Sequence, residues 1–240
     1  MCFFSIRRIH VSKLPNPIPM VFSYCLFTAQ ISESNMTNLL YINASTRGDL
    51  SAAIQAAQTF TNALPKTVEV STLDLFNVTL PEVTLAITSA KLKFAIGLNL
   101  EQNEAREWRA VLNLVEQFLH ADAYLFTIPM WNFGIPYKLK QYIDLITHPG
   151  LTFTRDENGP KGLARGTATL IYSRGGDYSP KNGAPDPFDF QSPYMNAWTK
   201  MLGLNPVSEV LIQGTMAGPD KLKKKQSKNK KANLLASHQI

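Results

Sequence analysis

The sequence is almost devoid of cysteine. Its two cysteines, Cys2 and Cys25, lie within the first 35 residues, so residues 36–240 contain none. This absence excludes a disulfide framework, a cysteine-ligated metal site and a cysteine nucleophile from most of the chain. Long apolar runs are missing as well, since none reaches the roughly 18–20 residues needed to cross a bilayer. We therefore expect no membrane-spanning segment.

The middle of the chain also lacks a net positive charge, although the whole chain has a net charge of +6. Residues 1–35 contribute +2, and residues 220–240, with seven lysines, contribute +6. The residues between these ends therefore carry a net charge of −2. Nucleic-acid-binding domains carry positive charge on the folded surface, so we do not expect a nucleic-acid partner.

The two ends differ in composition from the middle. Residues 1–35 hold one acidic residue, a proline-rich patch and a short apolar run at 18–27. They could be a secretory signal, an organelle transit segment or an extension outside the fold, with Met36 as the functional start. We favour the extension, because no convincing cleavage site follows the apolar run. Residues 220–240 could be a solvated last helix or a tail for an anionic surface, and we favour the helix. Residues 36–219 are then the folded domain.

Residues 36–219 alternate between short apolar strands and amphipathic helices. The pattern predicts strands at 39–44, 67–75, 123–129, 167–172 and 207–212, and helices at 50–64, 101–120, 137–146 and 192–202. The clearest helix, residues 101–120, places Trp108, Val115 and Phe118 on one face. This alternation predicts a five-stranded parallel sheet covered by helices on both faces.

Ligands of such a sheet bind beyond the carboxyl ends of its strands, so the loops at those ends are the first candidates. The loop after the first strand, residues 43–53, brings the hydroxyls of Ser45 and Ser51 to the N-terminus of the first helix. Free N–H groups and the helix dipole favour a phosphate there, although the loop is not a Walker P-loop. The alternative is an ordinary loop in which Asp49 or Ser51 caps the helix.

The loop after the third strand, residues 129–136, reads P-M-W-N-F-G-I-P. Met130, Trp131 and Phe133 make an apolar platform, and Asn132 adds a donor and an acceptor. A flat heteroaromatic ligand needs this combination. The alternative is a buried hydrophobic loop.

The loop after the fourth strand, residues 173–178, reads S-R-G-G-D-Y. Its adjacent glycines, Gly175 and Gly176, allow a backbone to approach a ligand closely. The alternative is a plain turn that ends a strand. All three loops should lie at one edge of the sheet.

The segments PMWNFGIPYKLKQYID, GLTFTRDENGPKGL and SRGGDY resemble, in order and in spacing, those of FMN-dependent NADH-azoreductases, also classed as NADH:quinone oxidoreductases. The resemblance covers residues 36–219. It implies a flavodoxin-like doubly wound fold, FMN as cofactor, NADH as co-substrate and a cytoplasmic homodimer with active sites at its interface. It also implies ping-pong transfer of hydride from NAD(P)H through FMN to quinones or azo compounds, without a catalytic side chain.

The same resemblance assigns residues to the site. The implied FMN contacts are Ser45, Ser51, Ala52, Ala53, Met130, Trp131, Asn132, Phe133, Ser173, Arg174, Gly175 and Gly176. Ala53 replaces the second serine of the family's S-x-S segment, which removes one hydrogen bond to the phosphate, worth roughly 0.5–1.5 kcal/mol. Phe153 resembles part of an insert that walls the partner's pocket, and Tyr178 stands where the family has a ring-side residue.

Two other classes of protein stay open, a flavodoxin-like electron carrier and a degenerate, non-enzymatic copy of the fold. Carriers are usually strongly acidic, whereas residues 36–219 are nearly neutral. The remaining polar residues are not expected to act in catalysis. We expect His120 to end a helix, His148 to lie in a loop, and Asp156 and Glu157 to form a solvated turn.

Overall fold

A computed structural model describes residues 36–180 and 182–216 of the chain. The predictions for residues 1–35 and 220–240 lie outside the described residues and stay predictions. The strands are β1 (Thr37–Asn43), β2 (Val68–Asp74), β3 (Ala123–Pro129), β4 (Phe153–Asp156), β5 (Gly159–Gly162), β6 (Thr167–Ser173) and β7 (Val207–Ile212). The helices are α1 (Ala52–Asn62), α2 (Leu85–Ala95), α3 (Gln102–Leu119), α4 (Tyr137–Ile146) and α5 (Ser192–Leu202), with a short 3-10 helix (Gly48–Leu50) before α1.

Five strands form one sheet in the order β2-β1-β3-β6-β7, and every pair is parallel. This confirms the predicted five-stranded parallel sheet. Successive side chains of a strand point to opposite faces of the sheet. In β3, Ala123 and Leu125 therefore join the cluster around α1, whereas Tyr124 and Phe126 contact Phe118 and Trp198 of α3 and α5. Both faces are covered, which explains why β3 is apolar throughout.

Helix α2 was not predicted. Its apolar residues point in all directions: Leu85 and Leu92 are exposed, whereas Ile87 and Ala90 are buried. The sequence therefore lacks the apolar stripe that identifies an amphipathic helix. A capping signal was present, because the Thr84 hydroxyl accepts the N–H of Ile87 at 3.2 Å.

Strands β4 and β5 form a separate antiparallel hairpin that was not predicted as strands either. Asp156 pairs with Gly159, and the predicted solvated turn at Asp156–Glu157 is confirmed, since both residues are exposed. The hairpin lies between the end of α4 and the start of β6, at the amino ends of the parallel strands. Among the residues that the structure describes, no helix combines the length and apolar character of a membrane span.

Candidate active site

The loop between β1 and α1 brings two buried serine hydroxyls together. Ser45 Oγ donates to Ser51 Oγ at 2.9 Å, and Ser51 Oγ also accepts the N–H of Ile54 at 3.4 Å. Both residues are at most 4% exposed. Because Ser51 uses its oxygen twice as an acceptor, its own hydrogen is left to donate to a ligand. Ser51 also caps α1, which confirms the predicted cap and is compatible with the predicted phosphate site.

The first backbone groups of α1 complete this corner. Within residues 36–180 and 182–216, the N–H groups of Ala52 and Ala53 have no acceptor, as expected for the first turn of a helix. The methyl group of Ala53 is fully buried in the apolar cluster around α1. Ala53 therefore offers an N–H to the loop, while its side chain belongs to the core.

The loop after β3 is a tight turn with an unusual backbone. Trp131 and Gly134 exchange two N–H···O=C hydrogen bonds of 3.0 Å. Between them, Asn132 has φ 47° and Phe133 has φ 71°. Two positive φ angles are typical of a type I′ turn, which favours Asn-Gly. A phenylalanine in this region is strained, at a cost of order 1–3 kcal/mol, and such strain is concentrated at functional sites.

The two aromatic side chains of this turn, Trp131 and Phe133, contact different groups of aromatic residues. The Trp131 ring lies 5.6 Å from Phe76 and 6.2 Å from Tyr137, measured between ring centroids. Beside them is a cavity of about 600 Å³, into which α4 places Lys140 and Asp144. The Phe133 ring instead lies 5.0 Å from Phe188 and 6.3 Å from Tyr178. We name the three rings of Phe133, Tyr178 and Phe188 the aromatic wall.

The loop after β6 lies beside this turn. The N–H of Met130 donates to the Ser173 carbonyl at 2.8 Å, which joins the two loops. In the part of the chain that the structure describes, the N–H groups of four residues at this edge have no acceptor. They are those of Asn132, Phe133, Gly175 and Gly176. A Cβ on Gly175 would come within 2.7 Å of Met216 Sδ, which is the end of a flexible side chain that is 87% exposed.

Arg174 is predicted to contact FMN, and its side chain is 1% exposed. Its guanidinium contacts the loop before α5. Nε donates to Gln191 Oε1 at 2.9 Å, and the two terminal nitrogens contact the Asp189 carboxylate at 3.0 and 3.1 Å. Burial alone would raise the pKa of Asp189, but hydrogen bonds from Ser192 and the Arg174 charge outweigh it, so this pKa lies below its usual range.

Within one chain, Phe153 lies far from Tyr178, the other predicted substrate-pocket residue. It begins β4, at the amino ends of the parallel strands, whereas the three loops lie at their carboxyl ends. The intervening strand β6 has seven residues, which corresponds to roughly 20 Å at about 3.3 Å per residue. Tyr178, by contrast, lies among the loops.

The two histidines of the described residues, His120 and His148, lie away from this edge. His120 ends α3, as predicted. His148 follows α4 and is fully buried against the rings of Trp108 and Phe94. Its Nδ1 and Nε2 lie 2.7 and 3.2 Å from the carbonyl oxygens of Pro149 and Lys91. Burial is the main cause that lowers the pKa of His148.

The sequence analysis missed three residues next to the site: Phe76, Phe188 and Asp189. Phe188 follows Pro185 and Pro187, so aromatic residues beside prolines were a usable signal, as they were for residues 129–136. No comparable signal marked Asp189, because its partner Arg174 is 15 residues away in the sequence.

Comparison with known proteins gives consistent results. A family sequence profile described as "flavodoxin-like fold" matches residues 37–235. The FMN-dependent NADH:quinone oxidoreductase of Desulfotalea psychrophila is 42% identical over 186 residues, which are 75% of this chain and 87% of that protein. The FMN-dependent NADH:quinone oxidoreductase 3 of Pseudomonas fluorescens is 41% identical over 77% of this chain and 88% of that protein.

Solved structures with the same architecture include an azoreductase from Bacillus anthracis. It superposes with a TM-score of 0.76 at 26% identity and covers 85% of this chain and 100% of its own. An FMN-dependent NADH-azoreductase from the same species, solved in complex with FMN, has a TM-score of 0.71 at 22% identity. It covers 84% of this chain and 100% of its own, and at that identity it shows the fold alone.

Proposed function

The chain belongs to the family of FMN-dependent NADH:quinone oxidoreductases with a flavodoxin-like fold, and we propose that its active centre lies at the carboxyl edge of the sheet. It is an FMN-dependent oxidoreductase that takes electrons from NADH and reduces quinones and azo compounds. The proposed centre consists of the three loops after β1, β3 and β6. The observation that carries this assignment is the buried Ser45–Ser51 pair at the free N-terminus of α1.

The residues at this edge fit FMN. The Ser51 hydroxyl and the N–H groups of Ala52 and Ala53 suit a phosphate, and the dipole of α1 adds positive potential. The unpaired N–H groups on the other two loops suit the polar edge of a flat ring. The nearby rings of Trp131 and Phe133 supply apolar contact.

When bound, FMN supplies the hydride chemistry. The chain would orient it and stabilise negative charge at the ring edge through the N–H groups of Asn132, Phe133, Gly175 and Gly176. We propose a ping-pong order, in which NADH gives up its hydride and the product NAD⁺ leaves the site before the acceptor enters. The described residues at this edge offer no cysteine or histidine for covalent or acid–base catalysis, and this mechanism needs none.

We also propose a homodimer in the cytoplasm. The support for a dimer is the position of Phe153, which cannot reach the site of its own chain but could enter that of a second copy. The support for the location is the reductant, because NADH is generated inside cells.

The test is the absorbance spectrum of the purified full-length chain and of residues 36–240, before and after anaerobic NADH. We expect a flavin spectrum that bleaches with NADH and returns when a quinone is added. Protein that binds FMN but bleaches very slowly would favour the electron carrier. Protein that takes up no FMN would favour a degenerate copy of the fold.

A further inference from the structure

An exposed phenylalanine stands at the rim of the proposed active centre. Phe188 is 54% exposed, yet its ring stacks on Phe133 with a centroid distance of 5.0 Å and an interplanar angle of 33°. Exposed apolar groups that are clustered, rather than scattered, mark binding surfaces. The Tyr178 ring also meets Phe133, edge-on with a centroid distance of 6.3 Å, so the aromatic wall continues the edge where a flat ligand would lie.

The segment that carries Phe188 is fixed to the β3 loop by polar contacts. The N–H of Phe190 donates to the carbonyl of Phe133 at 3.1 Å. The Gln191 amide donates to the carbonyl of Ile128, within β3, at 3.0 Å. The position of Phe188 is therefore tied to the strained turn at Asn132–Phe133.

Arg174 fixes the same segment to the glycine loop. Its guanidinium forms a two-pronged ion pair with Asp189 and a hydrogen bond with Gln191, on either side of Phe190. Its carbon Cζ also lies 5.9 Å from the centre of the Tyr178 ring. A buried guanidinium needs such complete pairing, which leaves little of Arg174 to contact a cofactor. One side chain thus holds two members of the aromatic wall.

We propose that Phe188 is a specificity-determining residue for the flat electron acceptor, and that Arg174 is a positioning residue that holds Phe188 in place rather than a contact of FMN. This inference rests on the proposed function of the same site. The acceptor class that the wall fits is a quinone of two or more fused rings, which overlaps the wall better than a single ring does.

The first experiment compares FMN-loaded wild type, Phe188→Ala and Phe188→Leu at saturating NADH. With 2-methyl-1,4-naphthoquinone, we expect Phe188→Ala to raise KM about three- to tenfold and leave kcat unchanged. Phe188→Leu should fall between, and 1,4-benzoquinone should show a smaller effect. The dissociation constant of FMN should not change. The control is Leu92→Ala, on α2, because Leu92 is also an exposed apolar residue; this variant should behave as wild type.

The second experiment tests Arg174 with the variants Arg174→Ala, Arg174→Lys and Asp189→Asn. We expect each to raise the naphthoquinone KM without weakening FMN binding, with the smallest change for lysine. Adding Phe188→Ala to Arg174→Ala should raise KM no further, because both act on the same ring. If Arg174→Ala fails to fold, the naphthoquinone KM of Asp189→Asn can be compared with that of the double variant Asp189→Asn with Phe188→Ala, and again the second substitution should raise KM no further.

These experiments test the role of Phe188, the role of Arg174 and the proposed function separately. An unchanged KM in Phe188→Ala would overturn the role of Phe188. Weaker FMN binding in Arg174→Ala, with normal FMN binding in Asp189→Asn, would make Arg174 a cofactor contact and overturn its positioning role. A wild-type protein that does not reduce quinones with NADH would overturn the proposed function, and this inference with it, before any variant is made.

Discussion

At the scale of single residues, substitutions of Ser45 and Ser51 should both weaken FMN binding but should lower the free energy of unfolding by different amounts. Replacing Ser45 or Ser51 by alanine removes a hydroxyl from the proposed phosphate corner, so each should weaken FMN binding roughly two- to tenfold. Ser51→Ala also removes the cap of α1 and should lower the free energy of unfolding of the apoprotein by about 1 kcal/mol. Ser45→Ala should lower it less. Flavin fluorescence titration and urea unfolding measure the two effects.

The control for these serines is Ser71→Ala, on the exposed side of β2. It should change neither quantity. If Ser45→Ala weakened FMN binding no more than Ser71→Ala does, the phosphate would have to lie elsewhere.

His148 should make stability depend on pH. In the unfolded chain its imidazole takes up a proton near the ordinary pKa of 6.5, whereas burial lowers the pKa in the folded chain. Below pH 6.5 the unfolded state therefore binds more protons, and the free energy of unfolding should fall as the pH is lowered. Urea unfolding of the apoprotein between pH 7.5 and pH 5.5 measures this loss.

His148→Gln keeps an amide that can bond to the same carbonyl groups but cannot titrate. Its free energy of unfolding should change less over this pH range than that of wild type. The same substitution at the exposed His120 should leave the wild-type dependence intact. Equal pH dependence in wild type and His148→Gln would contradict this role.

The sequence predicted the positions of the three loops better than the contacts of their side chains. Strand ends are visible in the sequence, so the loops holding Ser45, Asn132 and Gly175 could be placed at one edge of the sheet. Roles depend on contacts between distant residues. Arg174 belongs to a glycine motif that indicates a cofactor loop, yet its partners lie 15 and 17 residues further along the chain. Only the folded chain shows where its guanidinium points.

At the scale of secondary structure elements, Gly162 governs how the β4–β5 hairpin meets α5. A Cβ at this position would come within 1.9 Å of the Leu202 carbonyl carbon and 2.1 Å of the Gly203 nitrogen. Both are backbone atoms, so neither can rotate away. Gly162→Ala should therefore lower the free energy of unfolding by about 1–3 kcal/mol or more, measured by urea unfolding.

Gly134→Ala, in the loop after β3, is the matched control for Gly162→Ala. The nearest atom to a Cβ at Gly134 would be the Trp131 carbonyl oxygen, at 3.9 Å. This variant should unfold within about 0.5 kcal/mol of wild type. If Gly162→Ala were equally neutral, the hairpin would be able to move away from α5, and its close packing would not stabilise the fold.

Elements with a clear periodicity were predicted and those without it were missed. The central strands of the parallel sheet are visible as short apolar runs, because strands covered on both faces need apolar residues. The edge strand β2 was predicted instead from the alternation of Val68 and Val70 with polar residues. Helix α2 lacks a stripe, since Leu85, Leu92 and Ile96 are exposed while Ile87 and Ala90 are buried. Its position is set by tertiary contacts, among them the Lys93–Glu104 ion pair with α3 at 2.8 Å, and such contacts leave no local pattern.

At the scale of the whole molecule, the β4–β5 hairpin lies near the amino ends of the parallel strands, whereas the proposed active centre lies at their carboxyl ends. Nothing within a single chain brings Phe153 to the three loops. In a dimer related by a two-fold axis, a contact between the hairpin of one copy and the carboxyl edge of the other occurs twice, because each contact is repeated in the opposite direction. We therefore expect the purified protein to sediment as a dimer of 26.7 kDa chains.

Mixed dimers provide the sharpest test of this arrangement. One copy carries Phe153→Ala and the other carries Ser45→Ala with Ser51→Ala, and two different affinity tags isolate the mixed species. The assay uses an FMN concentration that loads only the copy with both serines. In the mixed dimer that copy receives Phe153 from its partner, so we expect about half of the wild-type quinone reductase activity per dimer. Each parent homodimer should be less active, because one lacks Phe153 and the other lacks FMN. Activity equal to the mean of the two parents would instead mean that Phe153 serves its own chain or no site at all, and a monomer in sedimentation would exclude the shared site outright.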